Sequence, residues 1–230
     1  MNMPNIIKKR NPWKNIILFS FTTIPFFSVY YVGTVYKAVS IVEMVLKGFT
    51  NTGYLLIGFS LILGPLGKFW NYFDKFLTYR KQLGIIGFMY ALLHGVVGTI
   101  IYVFPNPDII VNNYWGVALG ILALYLFFIC YAISEIIVIK TLGPKRWRRI
   151  IRYISYIGFI LATMHIYLAK LPVWQEYIDS DIIFPPLSLV LFSFGIFVLA
   201  FRFYVFIYDT FALGHSTIRT VISESQQSKN

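Results

Sequence analysis

The stretch RKQLGIIGFMYALLHGVVGTIIYVF, from Arg80 to Phe104, decides how the rest of the chain is interpreted. After its basic start it is apolar over roughly twenty residues, which is enough for an α-helix to cross a bilayer. A single histidine, His94, lies in the middle of this run. An imidazole at membrane depth is costly unless it binds a ligand, pairs with another group or lines a cavity. His94 therefore marks a candidate functional site.

The composition is that of a polytopic membrane protein. Of the 230 residues, 58% are hydrophobic and only 13% are charged, and the mean hydropathy is +0.70. These values exclude an ordinary soluble domain. The net charge of +11 does not indicate nucleic-acid binding, because the basic residues cluster between apolar runs, as they do in cytoplasmic loops of membrane proteins. The single cysteine, Cys130, allows no internal disulfide.

Apolar runs along the chain predict an all-α fold, a membrane bundle of six helices. We place the spans at about residues 15–36, 50–69, 83–104, 115–139, 150–171 and 186–208. The first run is too long for a signal peptide and lacks an A-x-A-like cleavage site, so we expect it to remain as a span. This divides the chain into a cytoplasmic N-terminal segment (1–14), the six-span domain (15–208) and a cytoplasmic tail (209–230), with no room for a soluble catalytic domain.

The positions of the basic residues predict the orientation. Most of the 20 Lys and Arg lie in the N-terminal segment and in the loops that follow the second and fourth spans. Because cytoplasmic loops are the ones enriched in Lys and Arg, both termini are expected in the cytoplasm. The loops near residues 37–50, 105–115 and 171–185 are expected to face outward, and the chain to lie in the cell's inner, or plasma, membrane.

A second membrane histidine, His165, lies in the fifth predicted span. His94 is fourteen positions beyond Arg80, and His165 is thirteen positions beyond Arg152. Each separation corresponds to about 20 Å of helix, so the two imidazoles are expected at similar depth in the outer half of the bilayer. Two neutral imidazoles facing each other in a helix bundle are the usual axial ligands of a b-type haem. This pattern predicts His94 and His165 as iron ligands.

Other interpretations of the two histidines remain open. The absence of C-x-x-C-H excludes a c-type attachment, and zinc would need further ligands that the neighbouring sequence does not offer. One alternative is a pair of polar residues hydrogen-bonded inside the bundle, and another is the relay of a small transporter or channel without haem. A structural or assembly subunit whose haem pocket has lapsed is a third possibility. His215, beyond the last span, is expected to be a cytoplasmic surface residue.

Small and basic residues extend the predicted site. Four glycines on the third and fifth spans either admit a porphyrin or pack helices together, and the sequence favours neither interpretation: Gly87, Gly95, Gly98 and Gly158. Lys170, beyond His165, is expected either to pair with a haem propionate or to snorkel to the interface. Arg80 is expected to approach a flavin or an inner cofactor. The basic inner loops would suit an acidic protein or flavin phosphates, but positive-inside topology alone also explains their charge.

The sequence resembles the ferric reductase-like transmembrane domain family and, within it, the bacterial MsrQ (YedZ) haem subunits. The stretch from Arg80 to His94 is similar to the family's pattern of a basic pair, Leu-Gly, Tyr-Ala and Leu-His. The other resembling positions are Thr52-Gly53 and Pro65-Leu66 in the second span, and Leu142-Gly143, Trp147 and Tyr156 on the way to His165.

The resemblance implies one b-type haem between the third and fifth spans, ligated by His94 and His165. It implies a cytoplasmic flavin reductase or reduced flavin as the donor, with FAD or FMN at the cytoplasmic face or on the partner. The outer acceptor would be ferric iron, an extracytoplasmic reductase, quinone or oxygen. Because the chain has no nucleotide-binding motif, it would be an electron-transfer subunit that needs a separate flavin reductase.

One departure from the family pattern concerns the number of haems. Where the family often has Leu-His-Arg after the tryptophan, this chain reads Ile150-Ile151-Arg152. The histidine that would serve an inner haem is therefore missing. A single haem in the outer half is expected, as in the STEAP branch.

Overall fold

The computed structural model describes residues 12–26, 40–179 and 184–227. In these ranges the chain is helical and contains no strand, so the predicted all-α class is confirmed. A 3-10 helix (Asn71–Tyr79) leads into α3 and a π-helical turn (Thr99–Val103) follows it. The α-helices are α1 (Pro12–Pro25), α2 (Ile41–Phe69), α3 (Arg80–Gly98), α4 (Asp108–Asn112), α5 (Tyr114–Ala132), α6 (Ile136–Leu142), α7 (Pro144–Ile178) and α8 (Leu187–Gln227).

Five helical segments in the described ranges are long and apolar enough to cross a membrane. They are Ile41–Phe69, Asn71–Val103, Tyr114–Ala132, Pro144–Ile178 and Leu187–Phe211, and they correspond to the second to sixth predicted spans. The first predicted span begins in α1, but residues 27–36 lie outside the described ranges. The sixth span and the side on which the termini lie stay predictions.

Two of the spanning helices are longer than their apolar runs. Helix α2 begins at Ile41 because Ser40 caps it, with the Glu43 amide donating to the Ser40 hydroxyl at 3.3 Å. Helix α7 begins at Pro144, directly after Gly143, whose φ of 77° suits glycine. It continues past Pro172 to Ile178. Both helices therefore extend into segments that we predicted as loops.

The fourth span ends earlier than predicted, at Ala132 rather than near residue 139. Polar side chains from two other helices satisfy the carbonyl groups just beyond this end. The Trp147 indole N–H donates to the Ile133 carbonyl, and the Lys81 ammonium donates to the Ser134 carbonyl, each at 2.8 Å. Helix ends leave such carbonyls without intrahelical partners, so these two bonds stabilise the termination of α5 inside an apolar run.

Helix α2 lies at the centre of the bundle and packs against α1, α3, α7 and α8, while α5 packs mainly against α7. Its buried residues Tyr54, Ile57 and Leu61 form one core with Phe159 of α7 and Val198 of α8. Helices α3 and α7, which carry the two membrane histidines, are not among the closely packed pairs in the described part of the chain. The histidines therefore approach each other from helices whose backbones stand apart.

Large apolar side chains remain exposed along the outside of the bundle. Ile121 and Phe128 on α5, Ile157 on α7 and Phe203 and Phe206 on α8 are each at least 50% exposed. A water-soluble protein rarely exposes so continuous an apolar surface. This exterior is suited to contact with lipid, in agreement with the spans.

Candidate cofactor site

His94 lies near the end of α3, and one of its ring nitrogens has no partner. The Nδ1 atom is buried and accepts or donates no hydrogen bond within the described part of the chain. Leaving a buried polar group unpaired costs roughly 1–3 kcal/mol. Such a nitrogen in a folded protein commonly indicates a group that the polypeptide does not itself supply.

His165 on α7 is held in a defined orientation by α5. Its Nδ1 lies 2.7 Å from the carbonyl oxygen of Gly116. Since a carbonyl oxygen can only accept, Nδ1 carries the proton and Nε2 keeps a free lone pair. A backbone carbonyl that binds one ring nitrogen in this way is the usual support of a metal-ligating histidine.

Two glycines of α5 make this contact possible. A Cβ atom added at Gly120 would lie 2.9 Å from Nδ1 of His165 and 3.1 Å from its Cε1. Gly116, one turn earlier, provides the accepting carbonyl and is itself buried. The His165 ring therefore lies directly against the α5 backbone, on a surface formed by Gly116 and Gly120. The sequence interpretation missed both residues, although small residues four apart in a span are a known signal of close approach.

The structure brings His94, His165 and Lys170 together. His94 lies within electrostatic range of both His165 and Lys170, and His165 lies within range of Lys170. No hydrogen bond joins the two imidazoles within the described structure. Inside the bundle, His165 is hydrogen-bonded through Nδ1 to Gly116, whereas Nδ1 of His94 has no partner among the described residues.

Lys170 has an exposed side chain on the same side of the bundle as the histidines. It lies within electrostatic range of Lys47 and Glu43, which form an ion pair of 2.7 Å on α2. Its ammonium group therefore lies at the edge of the histidine site and forms no direct ion pair with a described residue.

Arg80 lies at the other end of α3, about 20 Å from His94 along the helix. Its Nε donates to the Ser60 carbonyl at 3.0 Å, and the Ser60 hydroxyl donates to the Arg80 carbonyl at 2.8 Å. Arg80 is thus separate from the histidine site and lines a different cavity with Arg152, Tyr156 and Arg202.

Three of the four glycines singled out in the sequence pack helices together. A Cβ at Gly87 would lie 2.7 Å from Ile57 on α2, one at Gly95 would lie 2.8 Å from Leu124 on α5, and one at Gly158 would lie 3.1 Å from Phe127. Only Gly98 borders a histidine, with 3.8 Å between a Cβ there and the His94 ring. Helix packing therefore accounts for Gly87, Gly95 and Gly158.

The donor set fits haem better than a bare metal ion. The described residues contain no group of three or more His, Cys, Asp or Glu that would hold a metal. Structural zinc takes four protein ligands. In haem the porphyrin supplies four nitrogen ligands, so the protein supplies the axial ligands only. One oriented imidazole and one imidazole with an unpartnered nitrogen match that requirement.

His215, the remaining histidine, lies in α8 beyond the last span, and its side chain is outside the described part of the structure.

A comparison with known protein families identifies the family of the chain. The model of the family described as ferric reductase like transmembrane component matches residues 48–163, just over half of the chain. The match includes His94 and ends two residues before His165. A comparison with curated proteins gave no significant match. The chain belongs to the ferric reductase-like transmembrane component family.

Proposed function

We propose that the chain holds one b-type haem between α3 and α7, with His94 and His165 as axial ligands. In this role it carries electrons across the membrane from a cytoplasmic flavin-dependent donor to an outer acceptor. The observation that carries the proposal is the 2.7 Å contact between Nδ1 of His165 and the Gly116 carbonyl, because it leaves Nε2 free to ligate. Family membership supports a role in membrane electron transfer.

Each residue of the site has a defined part in this proposal. Gly116 sets the tautomer of His165, and Gly120 allows its ring to lie against α5. His94 offers a ring nitrogen that no described group satisfies. Bound haem supplies a couple between ferric and ferrous iron, whose potential depends on its axial ligands and their surroundings. Lys170, at the edge of the site, is positioned to neutralise a propionate.

The same proposal places both termini in the cytoplasm and the histidine end of the bundle in the outer half of the membrane. Ile151 occupies the position of the family's further histidine, so we propose a single haem. Electrons then enter from FAD or FMN at the cytoplasmic face or on a partner reductase. Ferric iron, an extracytoplasmic reductase, quinone or oxygen are the candidate acceptors. A relay that passes a proton directly between the histidines lacks support, because no hydrogen bond joins the two imidazoles in the described part of the chain.

This function is tested by measuring electron transfer from one side of a liposome membrane to the other. The full-length protein, loaded with haem, is placed in liposomes that enclose ferricyanide, and FMN is kept reduced outside by a flavin reductase and NADH. We expect the enclosed ferricyanide to be reduced, because chains inserted with their cytoplasmic side outward accept electrons from the flavin. His165→Ala is expected to lower the rate to that of liposomes without protein.

The matched control is His215→Ala, which removes a histidine outside the site and is expected to keep the wild-type rate. The electron-transfer function is rejected if the haem-loaded wild type leaves the enclosed ferricyanide oxidised, or if His165→Ala reduces it as fast as the wild type.

A further inference from the structure

A second site lies at the end of the bundle opposite to the histidines. It is a cavity of about 260 Å³ between α2, α3, α7 and α8. Its charged lining residues are Lys68, Arg80, Arg152, Arg202 and Asp209. We refer to the space enclosed by these five residues as the cationic cavity.

Carboxylates in the described part of the chain balance only part of the positive charge of the cationic cavity. Asp209 is the only acidic residue among the described residues that line it, and it forms an ion pair with Lys68. No carboxylate in the described part of the chain pairs with Arg80, Arg152 or Arg202. Arg80 lies within electrostatic range of the other two arginines. Like charges at this separation repel, and partial burial weakens the screening by water, so the cavity favours an anion.

Neutral groups hold the arginines in place without using their charge. The guanidinium of Arg80 is fixed through Nε by the Ser60 carbonyl, and a Cβ at Gly64 would lie only 2.9 Å from its Nη1. The guanidinium of Arg202 lies 5.5 Å from the centre of the Tyr156 ring. Tyr156 is fixed in turn by a 3.0 Å bond from its hydroxyl to the Leu61 carbonyl. The remaining N–H groups of both arginines have no hydrogen-bond partner among the described residues and can bind a ligand.

Membrane topology explains only part of this cluster. Arg80 and Arg152 lie where cytoplasmic loops meet spans, as expected for positive-inside residues. Arg202 lies inside the last apolar run, within the Leu187–Phe211 span. A charged residue inside a span is expensive and usually marks a binding site or a pathway. Arg202 lines the same cavity as Arg80 and Arg152, so one ligand in this cavity can contact all three arginines.

The size of the cavity restricts what it holds. Sites for drug-sized molecules occupy about 300–1,000 Å³, so a cavity of 260 Å³ is too small to enclose a whole dinucleotide or a porphyrin. Arginine guanidinium groups match the oxygens of phosphate, often with two parallel hydrogen bonds. We propose that the cationic cavity binds a single phosphate group, with Arg80, Arg152 and Arg202 as its ligands.

The phosphate belongs either to the head group of an anionic phospholipid or to a water-soluble phosphate ester. The cavity lies towards one end of the spans. Basic pockets between membrane helices commonly bind such lipids. The proposal does not depend on haem, since none of its residues belongs to the histidine site.

Native mass spectrometry of the delipidated full-length protein tests the proposal. The protein is titrated with dioctanoyl phosphatidylglycerol and, separately, with dioctanoyl glycerol, which has the same chains and no phosphate. We expect only the phosphatidylglycerol to bind at a defined stoichiometry. In Arg152→Gln/Arg202→Gln the dissociation constant is expected to rise roughly tenfold or more, because each substitution removes a charge-assisted hydrogen bond.

Two further variants separate binding from folding. Arg149→Gln removes an exposed arginine of α7 that does not line the cavity, and it is expected to bind within about twofold of the wild type. Arg202→Lys keeps the charge but loses the planar fork, so it is expected to bind more tightly than the double variant and less tightly than the wild type. Thermal unfolding of each variant in detergent verifies that it is folded.

Competition with FMN and with inorganic phosphate identifies the source of the phosphate. Phosphatidylglycerol that neither compound displaces identifies a lipid site, and displacement by either one identifies a site for a soluble phosphate. Both results support a phosphate site. The proposal is overturned if dioctanoyl glycerol binds as well as phosphatidylglycerol, or if the folded double variant binds phosphatidylglycerol as tightly as the wild type.

Discussion

Replacing either membrane histidine with alanine is expected to abolish the spectrum of six-coordinate, low-spin haem. His94→Ala and His165→Ala each remove one of the two proposed axial ligands, and alanine has no side-chain atom that can bind iron. Haem affinity is expected to fall by at least the roughly 10–100-fold typical of changes next to a metal site. Absorption spectra of the purified variants, oxidised and reduced with dithionite, measure this loss.

The control for both variants is His215→Ala, which removes the histidine that lies beyond the last span. It should keep the wild-type spectrum and haem content. If His94→Ala or His165→Ala retains the low-spin spectrum, that residue is not an axial ligand and the assignment of the site must change.

Adding one methyl group at Gly120 is expected to weaken haem binding nearly as strongly as removing a histidine does. In Gly120→Ala the new Cβ would lie 2.9 Å from Nδ1 of His165 and 3.3 Å from its Cγ. The ring must move, which breaks its 2.7 Å contact with the Gly116 carbonyl and turns Nε2 away from its position. Because this carbonyl supports the ligand, haem affinity should fall by roughly 10–100-fold.

A second glycine provides a matched control for this substitution. Gly98 also borders a histidine ring, but a Cβ there would lie 3.8 Å from the Cε1 and Nδ1 atoms of His94, an ordinary contact distance. Gly98→Ala should therefore retain haem while Gly120→Ala loses it, as measured by haem released to apomyoglobin over time. Equal retention by the two variants would contradict the role given to the α5 surface.

The positions of the spans were predictable because the bilayer imposes a simple requirement on composition. The second to sixth apolar runs each correspond to a helix in the described structure. Their ends were not predictable from hydropathy, since they depend on local chemistry. Ser40 starts α2 nine residues or so before the predicted span, and Gly143 with Pro144 starts α7 well before residue 150. In α5, contacts from Trp147 and Lys81 stabilise an early end that depends on tertiary structure.

In the candidate sites, too, some residues could be recognised from the sequence and others only from the fold. His94 and His165 stood out because imidazoles are rare at membrane depth, and counting from basic residues predicts that they lie at similar depth. Gly116 and Gly120 were missed because a glycine in an apolar helix has many uses, and only the fold reveals which ring lies against it. Arg202 was missed because an arginine inside the last span has no visible partner in sequence. Its relation to Arg80 and Arg152 appears only when α3, α7 and α8 are brought together.

The most direct test of the account is the absorption spectrum of the wild-type protein. The full-length chain is purified in detergent from cells supplied with a haem precursor, and its spectrum is recorded before and after reduction with dithionite. The account predicts a Soret band, a sharp α band on reduction, and about one haem per chain in the pyridine haemochrome assay. Absence of a Soret band, both in the purified protein and after incubation with added haem, would contradict it.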